Sequence, residues 1–114
     1  MKRNFRLTRT KDFTRVKKEG KSRHHKLAVL VFIPNNKEYS RAAFVASKAV
    51  GNAVTRNLIK RRMKACVVDS WSNVKSGWDL VFYARTAGAI ASYNNLQGAI
   101  SLLLLKAGLI IDKK

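Results

Sequence analysis

The chain has 114 residues, 46% of them hydrophobic and 26% charged, which excludes a disordered polymer and supplies one core but not two. Twenty-four Lys and Arg against six acids leave a formal net charge of +18, an excess that repels itself in a compact state and points to a polyanionic partner. The single cysteine, Cys66, excludes an internal disulfide, and no apolar run approaches the ~18 residues that a membrane-spanning helix needs.

The N-terminus is basic and polar, without the apolar stretch of a signal peptide, so the chain is expected in the cytoplasm as a single domain, 1–114. Residues 1–9 carry four cations and read as an irregular basic arm. Thr10 is placed to cap a short helix running to about Lys18, with Asp12 in its first turn, Phe13 and Val16 sharing a face, and Gly20 as the stop. Residues 21–26 read as a basic loop. Adjacent His24 and His25 do not make a metal pair, because neighbours in a chain point in different directions and no Cys or acid lies near. Leu27 to Ile33 is an unbroken apolar run rich in Val, hence a strand covered on both faces. Pro34-Asn35-Asn36 turns the chain, and Arg41 to Ser47 returns as a second strand, expected antiparallel to the first.

Ser47 to Cys66 is the most informative stretch. After Gly51 it contains no Gly or Pro and reads as a long helix. The helical repeat places Asn52, Arg56, Lys60 and Lys64 along one ridge with Asn57 and Arg61 beside it, and the reading sets Ile59, Met63 and Cys66 on the opposite side, against a core. Like charges one turn apart repel unless an anion lies along them. The bland alternative is an ordinary solvated basic face, and the charge of the whole chain weighs against it. Cys66, on the apolar side, reads as a buried structural thiol.

Trp71 to Gly77 is a polar loop, Asp79 to Ala84 a third strand, Arg85 to Gly88 a turn, and 110–114 a C-terminal tail. Asn94 to Ala107 carries Leu96, Ile100, Leu103 and Leu104 at helical spacing and ends at Gly108, an amphipathic helix covering the sheet. The order helix, strand, strand, long helix, strand, helix implies an α+β fold, a two-layer sandwich of a small central sheet with helices. The strand-helix-strand connection from Arg41 to Ala84 also allows those two strands to be parallel, and the general rule makes such a crossover right-handed.

The six acids are scattered singly, neither histidine has an acidic orienter, and glycine-rich phosphate loops are absent, so no catalytic residue and no metal ligand is assigned. Helix-turn-helix spacing, zinc-finger motifs and heptads are also missing, which favours RNA over duplex DNA.

Arg6-Leu7-Thr8, Lys11-Asp12-Phe13 with Val16 and Gly20, Tyr39-Ser40-Arg41, Ser47-Lys48, Val50-Gly51-Asn52-Ala53-Val54, Arg56-Asn57 and Ile59-Lys60-Arg61 together resemble the protein component of bacterial ribonuclease P. Trp78-Asp79-Leu80-Val81 with Ala84-Arg85 is similar to that family's last strand, so the likeness runs from Arg6 to about Gly108. The resemblance implies a subunit that assists a catalytic RNA in removing the 5′ leader from precursor tRNA by phosphodiester hydrolysis, with Mg²⁺ held chiefly by the RNA. It also implies a left-handed crossover through the long helix. In that frame Lys48, Asn52, Arg56, Asn57, Lys60, Arg61, Arg62 and Lys64 are candidates for RNA contacts, and a cleft between the first helix and the sheet, with Phe13, Lys17 and Val31, is the candidate leader site.

This chain departs from the family pattern in the helix and in the cleft. Leu58 stands where a second cation is usual, and Arg62, one turn later, where an apolar residue is usual; snorkelling of Arg62 along the boundary is expected to recover the phosphate contact. Lys17 and Val31 occupy positions where aromatics are often found, which predicts leader binding through phosphate more than bases. The competing readings are a general basic RNA-binding or RNA-chaperone domain of ribosomal-protein type and a self-sufficient metal nuclease.

Overall fold

The computed structural model describes residues 5–110. Residues 1–4 of the basic arm and 111–114 of the tail lie outside the described residues.

Helix α1, Thr10–Glu19, begins one residue before the expected capping geometry allows. Arg9 is the N-cap, with extended backbone and no side-chain cap, so Thr10 is the first helical residue; Asp12 sits in the first turn as expected. Gly20 ends the helix, but not by a left-handed turn, since its φ is −74°. A Cβ there would stand 2.4 Å from the Val16 carbonyl oxygen and 3.0 Å from that of Phe32, so glycine is needed for close approach of the helix end to the sheet.

The four strands are β1 (Lys21–His24), β2 (Ala28–Pro34), β3 (Arg41–Val45) and β4 (Trp78–Ala84), in spatial order β1-β2-β4-β3. β1 corrects the expected basic loop. Its polar, charged residues hid it, yet such residues suit an edge strand because they discourage pairing with another chain. The expected antiparallel partnership of β2 with β3 is also corrected: β4 lies between them, antiparallel to β2 and parallel to β3. β4 takes the centre because Asp79, Leu80, Val81 and Phe82 are all buried, whereas β3 is short and half-exposed at its end. The parallel alternative for the two strands flanking the long helix is the arrangement found.

Helix α2, Ala53–Ser70, connects β3 to β4, preceded by a 3₁₀ turn at Lys48–Val50 and followed by another at Trp71–Asn73. Thr86–Ala89 forms a one-turn helix, α3, and Tyr93–Lys106 forms α4, capped by the Ser92 hydroxyl accepting from the Asn95 N–H.

Strand alternation sorts the side chains into two cores. On one face Ala28, Leu30, Phe32, Ala42, Leu80 and Phe82 meet Ile59, Met63, Cys66 and Val67 of α2 and Leu96, Ile100, Leu103 and Leu104 of α4, which makes the two-layer body. On the other face Val31, Ile33, Ala43, Val45, Val81 and Tyr83 meet Leu7, Phe13 and Val16. α1 covers only part of this second face, so β2 is fully buried on one side and half-buried on the other. The N-terminal segment is less irregular than expected: Arg6 bridges to Ala42 in parallel, the Leu7 N–H donates to the Ala42 carbonyl at 3.0 Å, and the Leu7 side chain is buried. Burial of one such side chain contributes roughly 1.5–3 kcal/mol, enough to hold a short segment along the edge of β3.

Candidate nucleic-acid interface

α2 starts at Asn52, whose side-chain oxygen accepts the Thr55 N–H at 3.0 Å; the adjoining Gly51 has φ 154°, a conformation that favours glycine. Asn52 is thus a cap as well as an exposed polar group, and Lys48 is exposed on the turn before it. At about 100° per residue, Arg56, Lys60 and Lys64 lie not opposite the buried Ile59, Met63, Cys66 and Val67 but immediately beside them. The expected back-to-back arrangement is corrected accordingly: Arg56, Lys60 and Lys64 are half-buried on one shoulder of the helix, and Arg62 is half-buried on the other. Asn57 and Arg61 are exposed near the outer crest, among the partly apolar Val54, Leu58 and Val68. Residues on a shoulder lay their alkyl stems on the core and present their charges at its rim. Among the described residues, the Nε of Arg56 is buried without a hydrogen-bond partner.

The shoulder leads into the second face of the sheet. Lys64 shares a cavity of about 230 Å³ with Arg6, Leu7, Thr8, Phe13, Ala42, Ala43 and Phe44, so the ridge of α2 and the candidate cleft meet at the edge of β3. Phe13 and Val31 are both half-buried on the cleft face, and Lys17 is exposed on α1, one turn after Phe13. The register places Val29, Tyr83 and Val45 in one row across the sheet, all half-buried. Tyr83 and Val45 were missed in the sequence; the alternation Asp79, Val81, Tyr83 along β4 carried the signal. Burial pushes the Tyr83 phenol above its ordinary pKa, so it remains a neutral ring.

The closed end of this cleft is held by ions that sequence reasoning left without a role. Asp79, completely buried, accepts from Arg41 Nε at 2.9 Å and Arg41 Nη2 at 2.7 Å, from Asn35 Nδ2 at 2.9 Å, and from Arg15 of α1. Arg15 also donates to the Pro34 carbonyl at 3.3 Å, and Arg41 reaches Asp12 of α1 at 3.4 Å. The hydrogen bond to Asp79 holds the Arg41 guanidinium above its already high pKa. Two arginines and one carboxylate therefore tie α1 to three strand ends, and the tie explains why α1 spans one end of the sheet and leaves the Tyr83 row open.

Among the described residues, no three His, Cys, Asp or Glu side chains come together in a metal-holding group. His25 Nδ1 accepts the Leu27 N–H at 3.0 Å, and the His24 ring lies 3.2 Å from the Ser22 hydroxyl. Cys66 is free and buried, and burial pushes its thiol upward, away from the reactive thiolate. No described helix is long and apolar enough to cross a membrane. The arrangement suits gripping a polyanion.

Comparison with known proteins agrees with this geometry. The ribonuclease P family model matches residues 1–108. The ribonuclease P protein component of Clostridium novyi is 38% identical over 111 residues, covering 96% of this chain and 98% of the relative, and that of Roseiflexus castenholzii is 35% identical over 111 residues, covering 96% and 91%. The structure of the Staphylococcus aureus RNase P protein superposes with a TM-score of 0.86 at 26% identity, covering 93% of this chain and 97% of that one. The Thermotoga maritima protein gives 0.78 at 27% identity, covering 86% and 94%. A basic-shouldered helix joined to a half-covered sheet face, in a chain matched over nearly its whole length, belongs to the protein components of ribonuclease P.

Proposed function

We propose that this chain is the protein that assists a catalytic RNA in cutting the 5′ leader from precursor tRNA, with the shoulder of α2 against the catalytic RNA and the leader strand in the cleft between α1 and the sheet. The observation that carries the reading is the cavity shared by Lys64 and Phe13, which makes the basic ridge and the cleft one continuous surface. Lys48, Asn57 and Arg61 extend that surface along the exposed side, while Arg56, Lys60 and Lys64 act from its rim. Mg²⁺ belongs in this reading with the RNA. Bond cleavage belongs there too, while Asp79 and Asp12 serve the arginine clamp.

Leu58 lies on the outer crest and Arg62 on the second shoulder, so the exchange of these two residues shifts one cation toward the core boundary. Arg62→Ala is expected to weaken RNA binding and lower its salt slope. Lys17 and Val31 give the cleft less stacking surface and more charge, so a leader and its abasic counterpart are expected to bind alike; a large loss with the abasic strand counts against this. The decisive experiment is reconstitution with cognate catalytic RNA at low Mg²⁺. Accelerated leader removal, without comparable specificity for random RNA, supports the proposal. Equal affinity for all RNAs with no acceleration leaves a general RNA-binding domain, and cleavage by the chain alone leaves a nuclease.

A further inference from the structure

Beyond Lys64, the ridge of α2 points at a cluster of aromatic rings. Trp71 follows the last residue of α2 with helical backbone, φ −59° and ψ −38°. It stands two turns, about 10 Å, past Lys64 and in nearly the same direction. Its ring centroid lies 5.8 Å from that of Phe5, which in turn lies 5.9 Å from Tyr39. The planes are tilted by 50° and 58°, so the rings form walls and not a closed stack. Together with Ser40, Ser72, Val74 and Ser76 they surround an open pocket of about 190 Å³. The three rings remain half-exposed, unlike the aromatic Phe82 of the core.

The floor of the pocket is built. Ser40 is buried, its hydroxyl donates to the Lys75 carbonyl at 2.5 Å, and it accepts the Trp78 N–H at 3.0 Å, pinning the 71–77 loop and the first residue of β4 to the start of β3. Ser72 and Ser76 place exposed hydroxyls at the rim. Arg6, Lys37 and Lys75 are exposed within two residues of the lining positions in sequence, as are two acids, Glu38 before Tyr39 and Asp69 before Trp71. Phe5 lines this pocket and Arg6, Leu7 and Thr8 line the one that holds Lys64, so the N-terminal segment joins the two along the edge of β3.

We infer that the Phe5–Tyr39–Trp71 pocket takes one unpaired nucleobase of the RNA that lies along α2. Aromatic walls offer π-faces to a base, hydroxyls offer partners to its edge, and flanking cations take the adjoining phosphates. An apolar protein segment would find cations and serines at the rim, and the surplus of +18 on the chain favours a polyanion over a second copy of itself. The inference rests on the RNA-binding reading above. It moves the stacking surface, which the cleft lacks at Lys17 and Val31, to the far end of the basic ridge.

Trp78→Phe leaves Trp71 as the only tryptophan and changes a side chain that does not line the pocket, keeping the backbone N–H that Ser40 accepts. Titrating that protein with the catalytic RNA is expected to change Trp71 emission, and titrating it with the leader oligonucleotide is not. Phe5→Leu and Tyr39→Leu keep apolar bulk and remove a π-face; each is expected to weaken binding of the catalytic RNA about 5- to 100-fold with the salt slope unchanged, because no phosphate contact is lost. An emission change with the leader alone or with neither RNA overturns the proposal. So does wild-type affinity in both leucine variants. Either result is compatible with full acceleration of leader removal, whereas failure of all RNA binding and acceleration in the unmutated chain counts against the subunit reading itself.

Discussion

Replacing Asp79 with Ala removes four hydrogen bonds from a side chain that is wholly out of water. The carboxylate lost is the common acceptor for Arg15 and Arg41, and stripping one partner from a buried ion pair costs about 3–5 kcal/mol because the remaining charge stays desolvated. The penalty is uneven. The Arg41 side chain is 14% exposed and that of Arg15 31%, so water recovers much of the deficit at Arg15 and little at Arg41. Asp12, 3.4 Å from Arg41, remains as a second acceptor. The expected cost is therefore near the lower end, about 3 kcal/mol, or about 10 °C in Tm for a chain of this length. Urea denaturation followed by circular dichroism should show a lower midpoint at unchanged slope. A double-mutant cycle with Arg41→Ala should return a coupling above about 1 kcal/mol, and replacing Asp79 and Arg41 together with apolar residues should recover part of the loss. A cost below about 1 kcal/mol for Asp79→Ala would refute the clamp as the tie between α1 and the sheet.

Neutralising Arg56, Lys60 and Lys64 together is expected to lower the salt slope of RNA binding by about 2–3 and to impair holoenzyme assembly at ordinary ionic strength; an unchanged slope and turnover would remove the ridge from the interface. Two glycines should respond with opposite sign in the same denaturation assay: Gly20→Ala, whose Cβ meets the Val16 carbonyl oxygen at 2.4 Å, should destabilise by about 1–3 kcal/mol, while Gly98→Ala in α4, with nothing within 4 Å, should stabilise by about 0.5–1 kcal/mol. Burial raises Cys66 above its ordinary 9.0 and Tyr83 above 10.0, so in the unfolded chain these groups release their protons first as pH rises. Their contribution to stability is complete below about pH 9 and declines as pH climbs through the folded values, a decline that Cys66→Ala should flatten at its lower end; an identical pH profile in that variant would refute the assignment.

Local chemistry was enough to read the long α2, the β2 run, the apolar stripe of α4 and the buried state of Cys66, because helix propensity, unbroken Val-rich runs and 3.6-residue spacing act within a short stretch of chain. The order of α2's cations and the motif around Gly51 and Asn52 likewise sufficed to identify the family. Position across the sheet was a different matter. Lys21–His24 becomes a strand only because β2 offers it an edge, and β4 separates β2 from β3 because it alone is apolar enough to be buried on both faces. The same holds for the site. Spacing gave the ridge of Arg56, Lys60 and Lys64, but its place on a shoulder, its meeting with Phe13 at the β3 edge and the convergence of Arg15, Arg41 and Asp79 depend on residues up to 64 positions apart in sequence. Side-chain periodicity specifies which face a residue occupies within its own element; which element that face meets is decided by competition among all strands and helices for the same buried surface, and that competition is settled only in the folded chain.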